Sequence, residues 1–152
     1  MSCATIMTAD PLTAREEDSV ADAAAALIAH RYINLPVVDG EGRFKGMFGI
    51  YDLLALLVPR VALAGDLVAN LRFIPDDPAE LRRLFAGASH KTVGEACDRQ
   101  AVTLHPDTPE VEAIRLFCRR HNTLAVVERE TGKLAGIVSY WDAIRALTAP
   151  AA

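Results

Sequence analysis

The chain is poor in cysteine, in tryptophan and in clustered positive charge. Its three cysteines, Cys3, Cys97 and Cys118, are odd in number and lack metal-ligand or redox-pair spacing. That argues against a disulfide scaffold and for a reducing setting. Sixteen Lys and Arg against twenty Asp and Glu give a formal net charge of −4 with no basic run. A nucleic-acid backbone is therefore not an expected partner. The richest apolar run, Leu53 to Val58, stops at Pro59-Arg60. It falls far short of the roughly 20 residues a membrane span needs. The first residues, Met1 to Thr5, show neither the basic region nor the apolar core of a secretion signal, so the expected location is the cytoplasm. The four histidines, His30, His90, His105 and His121, have no ligand spacing to one another. Gly-x-Ser-x-Gly elbows, Gly-Lys-Ser/Thr phosphate loops and supported Cys/His pairs are all missing, and the expectation is a protein that is not an enzyme.

What the chain does have is repetition. Gly46 to Leu54 and Gly136 to Ile144 both read as the end of an apolar strand, a sharp turn, and a helix with a carboxylate in its first turn. Gly46 and Gly136, Asp52 and Asp142, Thr13 and Thr103, and Ala23 and Ala113 are each 90 positions apart. An offset sustained over both halves marks two copies of one unit. Each copy is near the lower size limit for an independent core, so the copies are expected to share one.

Taken in order, Pro11-Leu12-Thr13 reads as a short strand after a loose N-terminal segment. Ser19 with Asp22 forms a capping pattern ahead of a helix whose stripe is Val20, Ala24, Leu27, Ile28 and Arg31. Leu35 to Val38 and Phe44 to Ile50 are strands about the turn Asp39-Gly40-Glu41-Gly42, and a helix from Tyr51 to Val58 closes the copy. The second copy runs through the strand Ala101 to Leu104, a helix from Thr108-Pro109-Glu110, the strands Leu124 to Val127 and Leu134 to Val138, and a helix from Tyr140 to Leu147. Between them, Asp77-Pro78-Ala79-Glu80 begins a connector helix with an apolar face at Leu81, Leu84 and Phe85, ending at Gly87. The predicted organisation is unit 1 over 1–58, a helical connector over 59–91 and unit 2 over 92–149.

These residues resemble the cystathionine-β-synthase-type (CBS) domain, which is normally a tandem pair. The marks are Leu35-Pro36-Val37-Val38-Asp39 before a Gly-containing turn, the Gly46 and Gly136 strands, and Asp52 and Asp142 opening the last helices. The resemblance implies an α/β (α+β) fold of two β-α-β-β-α units about a pseudo-twofold axis, with the connector helix added. It also implies a regulatory module that takes AMP, ADP, ATP or a related adenosine ligand in clefts between the units. The expected partners are a nucleotide, a second copy of the chain in a homodimer, and a regulated protein; no catalytic cofactor is expected.

Ser139 and Asp142 carry the physical case for a site. A helix N-terminus offers free backbone N–H groups to a phosphate, and a carboxylate one turn along can accept from both hydroxyls of a ribose. Ser-x-x-Asp is equally an ordinary cap. The resemblance implies that Thr103, Asn122, Thr123, Leu124 and Ala125 complete the Ser139–Asp142 cleft. It implies a weaker second cleft from Thr13, Ile33, Asn34, Leu35, Pro36 and Asp52, weaker because Gly49 stands where a hydroxyl is expected. The alternative function is a ligand-free assembly module with clefts filled by side chains.

Overall fold

The computed structural model describes residues 1–57 and 77–150. Its elements are α1 (Cys3–Ile6), β1 (Thr8–Ala9), β2 (Ala14–Arg15), α2 (Val20–His30), β3 (Asn34–Val38), β4 (Phe44–Gly49) and α3 (Ile50–Ala55). They continue with α4 (Pro78–Ala88), α5 (Val93–Ala96), β5 (Thr103–Leu104), α6 (Glu110–Cys118), β6 (Thr123–Val127), β7 (Leu134–Ser139) and α7 (Tyr140–Thr148). Each copy thus has the expected order of strand, helix, two strands and helix, in a mixed α/β chain with two sheets.

Local chemistry explains most boundaries. The Ser19 hydroxyl accepts from the Asp22 backbone N–H at 3.1 Å and starts α2. Asp77 accepts from the Ala79 N–H at 3.0 Å, and Pro78 follows at the first helical position of α4. Gly42 and Gly132 sit at φ +81° and +72°, the left-handed region that the β3–β4 and β6–β7 turns require. Several expectations move. The opening strand lies at Ala14–Arg15, not Pro11–Thr13, because pairing to Val37 and Val38 selects those residues. Helix α4 runs through Gly87 to Ala88, since Gly87 stays helical and the Ser89 N–H bonds the Phe85 carbonyl. Part of the connector, residues 59–76, and Val58 at the predicted end of the Tyr51–Val58 helix lie outside the described residues.

The N-terminal segment is not loose. Strand β1 joins the second copy's sheet, whose order is β1-β7-β6-β5, and α1 packs on that copy, while β2-β3-β4 form the other sheet. The reciprocal exchange places α5 and Asp98 on the first copy. Thr8 pairs with Ile137, and Asp98 bridges Met47 through a 2.7 Å and a 3.0 Å hydrogen bond. Ser2 bridges Pro109 as Ser19 bridges Thr92. The Cys3 N–H donates to the Thr108 carbonyl and the Val93 N–H to the Asp18 carbonyl, both at 2.8 Å. Every one of these pairs maps onto its counterpart by the 90-residue offset, with the copies interchanged, which is the relation a twofold axis produces. Closest to that axis, Phe44 N–H donates to the Gly132 carbonyl at 2.9 Å and Leu134 N–H to the Gly42 carbonyl at 3.0 Å.

The exchange shapes the core. Val93 is fully buried among Val20, Leu27, Leu35, Val37 and Phe48, whereas Cys3 is fully buried with Leu104, Leu124, Val126 and Val138. Each copy therefore has its own cluster, completed by a side chain from the segment that precedes the other copy. The expected shared core shrinks to Met47, Ala125 and Val127 between the two sheets. Ile28, placed in the α2 stripe by its spacing, points to solvent instead, because the buried face of α2 is Val20, Ala23, Ala24 and Leu27.

Gly46 and Gly136 are needed for the exchange. A Cβ on Gly46 would stand 2.6 Å from the Asp98 carbonyl oxygen, and one on Gly136 2.6 Å from that of Thr8. The incoming backbone passes too close to each central strand for any side chain.

Candidate functional site

Two cavities lie between the copies. One, of about 410 Å³, is lined by Asp52 with Gln100 to Val102 and Arg120 to Leu124. The other, of about 520 Å³, is lined by Ser139 and Asp142 with Thr8 and Arg31 to Asn34. Asn34, Asn122 and Thr123 line both. Each cavity thus joins the carboxylate of one copy to the strand start of the other.

This corrects the grouping read from the sequence. Of the residues assigned with Ser139 and Asp142, only Asn122 and Thr123 share their cavity. Leu124 lines the Asp52 cavity, Ala125 is buried between the sheets, and Thr103 pairs with Ala125 in the sheet without lining either. Of those assigned with Asp52, Asn34 shares its cavity, Ile33 lines the other one, Leu35 and Pro36 are buried, and Thr13 is exposed outside both. The cause is the segment exchange: it brings the stretch ahead of β5 against α3, and the stretch ahead of β2 against α7. Thr8, Asp98 and Gln100 were missed as lining residues for that reason; the offset relating Thr8 to Asp98 was the only trace of them.

The two carboxylates are held differently. Asp142 is 8% exposed. Its Oδ2 accepts from the Ser139 N–H and from the Ser139 hydroxyl, both at 2.8 Å, and its Oδ1 accepts from Arg145 at 3.2 Å. The Ser139 Oγ in turn accepts from the Asp142 N–H at 3.3 Å, so this pair is a complete capping box. Asp52 accepts from the Gly49 N–H at 2.8 Å, and among the described residues no arginine pairs with it. Burial raises its carboxyl above the usual range, the Gly49 hydrogen bond opposes that, and the nearby Asp98 charge adds to the rise. Ala55 stands where Arg145 would pair.

Gly49 is a packing requirement. Its backbone is extended, at φ −137°, so no left-handed geometry demands glycine. A Cβ there would collide with the Asn34 side-chain oxygen and lie 2.8 Å from the Ile33 carbonyl oxygen. Opposite Ser139, β6 carries Thr123 where β3 carries Asn34. The larger Asn34 amide fills the space that the serine uses in the other copy.

Both strand starts follow a left-handed arginine, Arg31 at φ +54° and Arg120 at φ +68°. Each closes its helix: the Tyr32 N–H reaches the Leu27 carbonyl, and the His121 N–H that of Leu116. Glycine would adopt this conformation without the roughly 1 kcal/mol cost an arginine bears. Both arginines line a cavity, Arg31 beside Asp142 and Arg120 beside Asp52. His121 lines the Asp52 cavity, while His105 is bonded through Nδ1 to the Val127 carbonyl oxygen at 2.8 Å. Tyr51 and Trp141, equivalent by the offset, are exposed at the two rims. Among the described residues no group of three His, Cys, Asp or Glu is placed to hold a metal ion.

A repeated β-α-β-β-α unit with paired inter-unit clefts defines a tandem CBS pair. The CBS domain family model matches residues 3–59 and again residues 93–149, and the chain belongs to that family. It is 29% identical over 135 residues to the chloroplastic CBS domain-containing protein CBSX2 of Arabidopsis thaliana, covering 84% of this chain and 55% of that protein. It is 25% identical over 141 residues to the L-aspartate semialdehyde sulfurtransferase of Methanocaldococcus jannaschii, covering 92% of this chain and 22% of the enzyme. The chain therefore spans about half or less of these relatives. Among solved structures, CBSX2 in complex with AMP superposes with a TM-score of 0.71 at 26% identity, covering 96% of this chain and 95% of that one. The CBS domain pair of protein MJ0100, in complex with 5′-methylthioadenosine and S-adenosyl-L-methionine, superposes with a TM-score of 0.65 at 25% identity, covering 97% and 99%.

Proposed function

We propose that this chain is a regulatory module that binds adenosine-containing ligands, AMP, ADP or ATP among them, in the clefts between its CBS units and reports occupancy to a partner protein. The observation that carries the reading is the pair of cavities, about 410 and 520 Å³, each with one carboxylate at a helix start and one arginine at a strand start. That volume suits a nucleoside ligand, and those groups suit a ribose diol and an anionic or polar 5′ substituent. The AMP-bound and methylthioadenosine-bound CBS pairs support the ligand class. Binding would favour one arrangement of the two units over another, by no more than the ligand's differential affinity for them. No catalytic role is assigned. The functional division remains 1–58, 59–91 and 92–149, with each unit borrowing the segment that precedes the other.

The chain is further proposed to act in the cytoplasm as a homodimer. Tyr51 and Leu54 on α3, and Trp141, Ile144 and Leu147 on α7, leave large apolar side chains exposed for a second copy to cover. Light scattering that gives a monomer at micromolar concentration would count against the dimer. A thermal-shift titration with AMP, ADP and ATP tests the ligand reading, because a ligand that binds only the folded chain raises its melting temperature with concentration. A flat response to all three favours the assembly-module reading, to which the closed Ser139–Asp142–Arg145 network lends the specific support.

A further inference from the structure

The two cavities are related by the repeat, yet their linings differ, and the two differences that change formal charge have the same sign. Where the Asp142 cavity has the Thr8 hydroxyl, the Asp52 cavity has the Asp98 carboxylate. Where α7 brings Arg145 to the Asp142 cavity, α3 has Ala55. Where Ser139 offers a hydroxyl, Gly49 offers none, and Asn34 occupies the space. The strand-start arginine is common to both, Arg120 in one and Arg31 in the other.

Formal charges follow from the described lining residues. The Asp52 cavity holds Asp52 and Asp98 against Arg120, a balance of −1 with His121 neutral. The Asp142 cavity holds Asp142 against Arg31 and Arg145, a balance of +1. Arg145 already pairs with Asp142 at 3.2 Å, which leaves Arg31 as the cation available to an incoming anion. In the other cavity two carboxylates stand against Arg120 alone, and the Asp98 charge adds to the burial that raises the Asp52 carboxyl. A phosphate dianion would meet net attraction in one place and net repulsion in the other.

We infer that the two clefts divide their ligands by charge: the Asp142 cleft takes a phosphorylated adenosine such as AMP, and the Asp52 cleft takes an adenosine compound without phosphate, neutral or positively charged at its 5′ end. The inference rests on the adenosine reading above and deepens it. It makes the chain a sensor of two chemically distinct pools, with the shared Asn34, Asn122 and Thr123 in position to couple them.

The test is isothermal titration calorimetry of the full chain with three probes: AMP, adenosine and S-adenosylmethionine. Each is titrated into the wild type, Asp52→Ala, Asp142→Ala, Asp142→Asn and Asp98→Asn, with circular dichroism melts to confirm folding. Asp142→Asn keeps an acceptor for the Ser139 N–H and so covers the case in which the alanine variant loses its cap and unfolds. AMP is expected to survive Asp52→Ala and to weaken about tenfold or more in either Asp142 variant. Adenosine and S-adenosylmethionine should show the reverse. Asp98→Asn retains an acceptor for the Gln100 N–H, now 3.0 Å away, and removes the charge; it should admit AMP to the Asp52 cleft and weaken S-adenosylmethionine there. AMP binding equally to both clefts of the wild type, or AMP lost on Asp52→Ala alone, overturns the division and leaves the adenosine reading standing. If none of the three probes binds the folded wild type, the adenosine reading falls and the division with it.

Discussion

Alanine at Gly136 or Gly46 strikes the contact on which the architecture depends. The added Cβ would sit 2.6 Å from a carbonyl oxygen of the exchanged segment, Thr8 in one case and Asp98 in the other, against an ordinary contact of 3.4 Å or more. About 0.8 Å must open between the two backbones at each place. At Gly46 the neighbouring Met47–Asp98 bonds of 2.7 and 3.0 Å would stretch to the edge of bonding. Losing two such bonds costs about 1 kcal/mol each. Crowding against the Cys97 sulfur, 3.1 Å from the same Cβ, adds to that. The opposing gain, from a stiffer unfolded chain, is about 0.4–1 kcal/mol. A net loss of about 1–3 kcal/mol follows, or a melting temperature lower by roughly 3–10 °C for a chain of this size. Gly87→Ala is the internal control: among the described residues nothing lies within 4 Å of its Cβ, and it sits in α4, so it should stabilise by about 0.5–1 kcal/mol. Urea denaturation of the three variants decides the matter. Neutral or stabilised Gly46→Ala and Gly136→Ala proteins would mean that the exchanged segments do not pass where the geometry puts them.

Gly49→Ser, which would restore the hydroxyl, should instead destabilise by about 1–2 kcal/mol through its collision with Asn34 and Ile33; the double change Gly49→Ser with Asn34→Thr, copying Ser139 and Thr123, should recover most of that loss in chemical denaturation. Burial raises the Asp52 carboxyl, so its ionisation opposes folding: stability from this group is complete below the ordinary carboxylate pKa and is lost as pH rises through the raised value. Asp52→Asn should therefore be more stable than the wild type at pH 7, with the difference shrinking towards pH 4, and melts at both pH values check it. In timed alkylation with iodoacetamide read by mass spectrometry, exposed Cys118 should be modified first. Fully buried Cys3, its thiol pushed up by burial and by Glu110, should be modified last.

The sequence by itself determined the unit and its repetition. The apolar run Leu35 to Val38, the Gly42 and Gly132 turns, the Ser19 and Asp77 caps and the 90-residue offset are all local or periodic signals, and the elements formed where those signals lay. The two aspartates at helix starts were legible for the same reason, since a cap is decided within four residues. Tertiary structure alone decided which copy each opening segment joins. Val93 and Cys3 are ordinary apolar residues at the starts of short helices, and nothing within a turn of either says that its core belongs to the other half of the chain. That choice shaped the composition of the clefts, bringing Thr8 and Asp98 in, while Thr103 and Ala125 stayed in the sheet. The physical reason is range: capping and propensity act over a few residues, whereas the pairing of Thr8 with Ile137 and of Met47 with Asp98 is settled only when distant strands compete for the same edge.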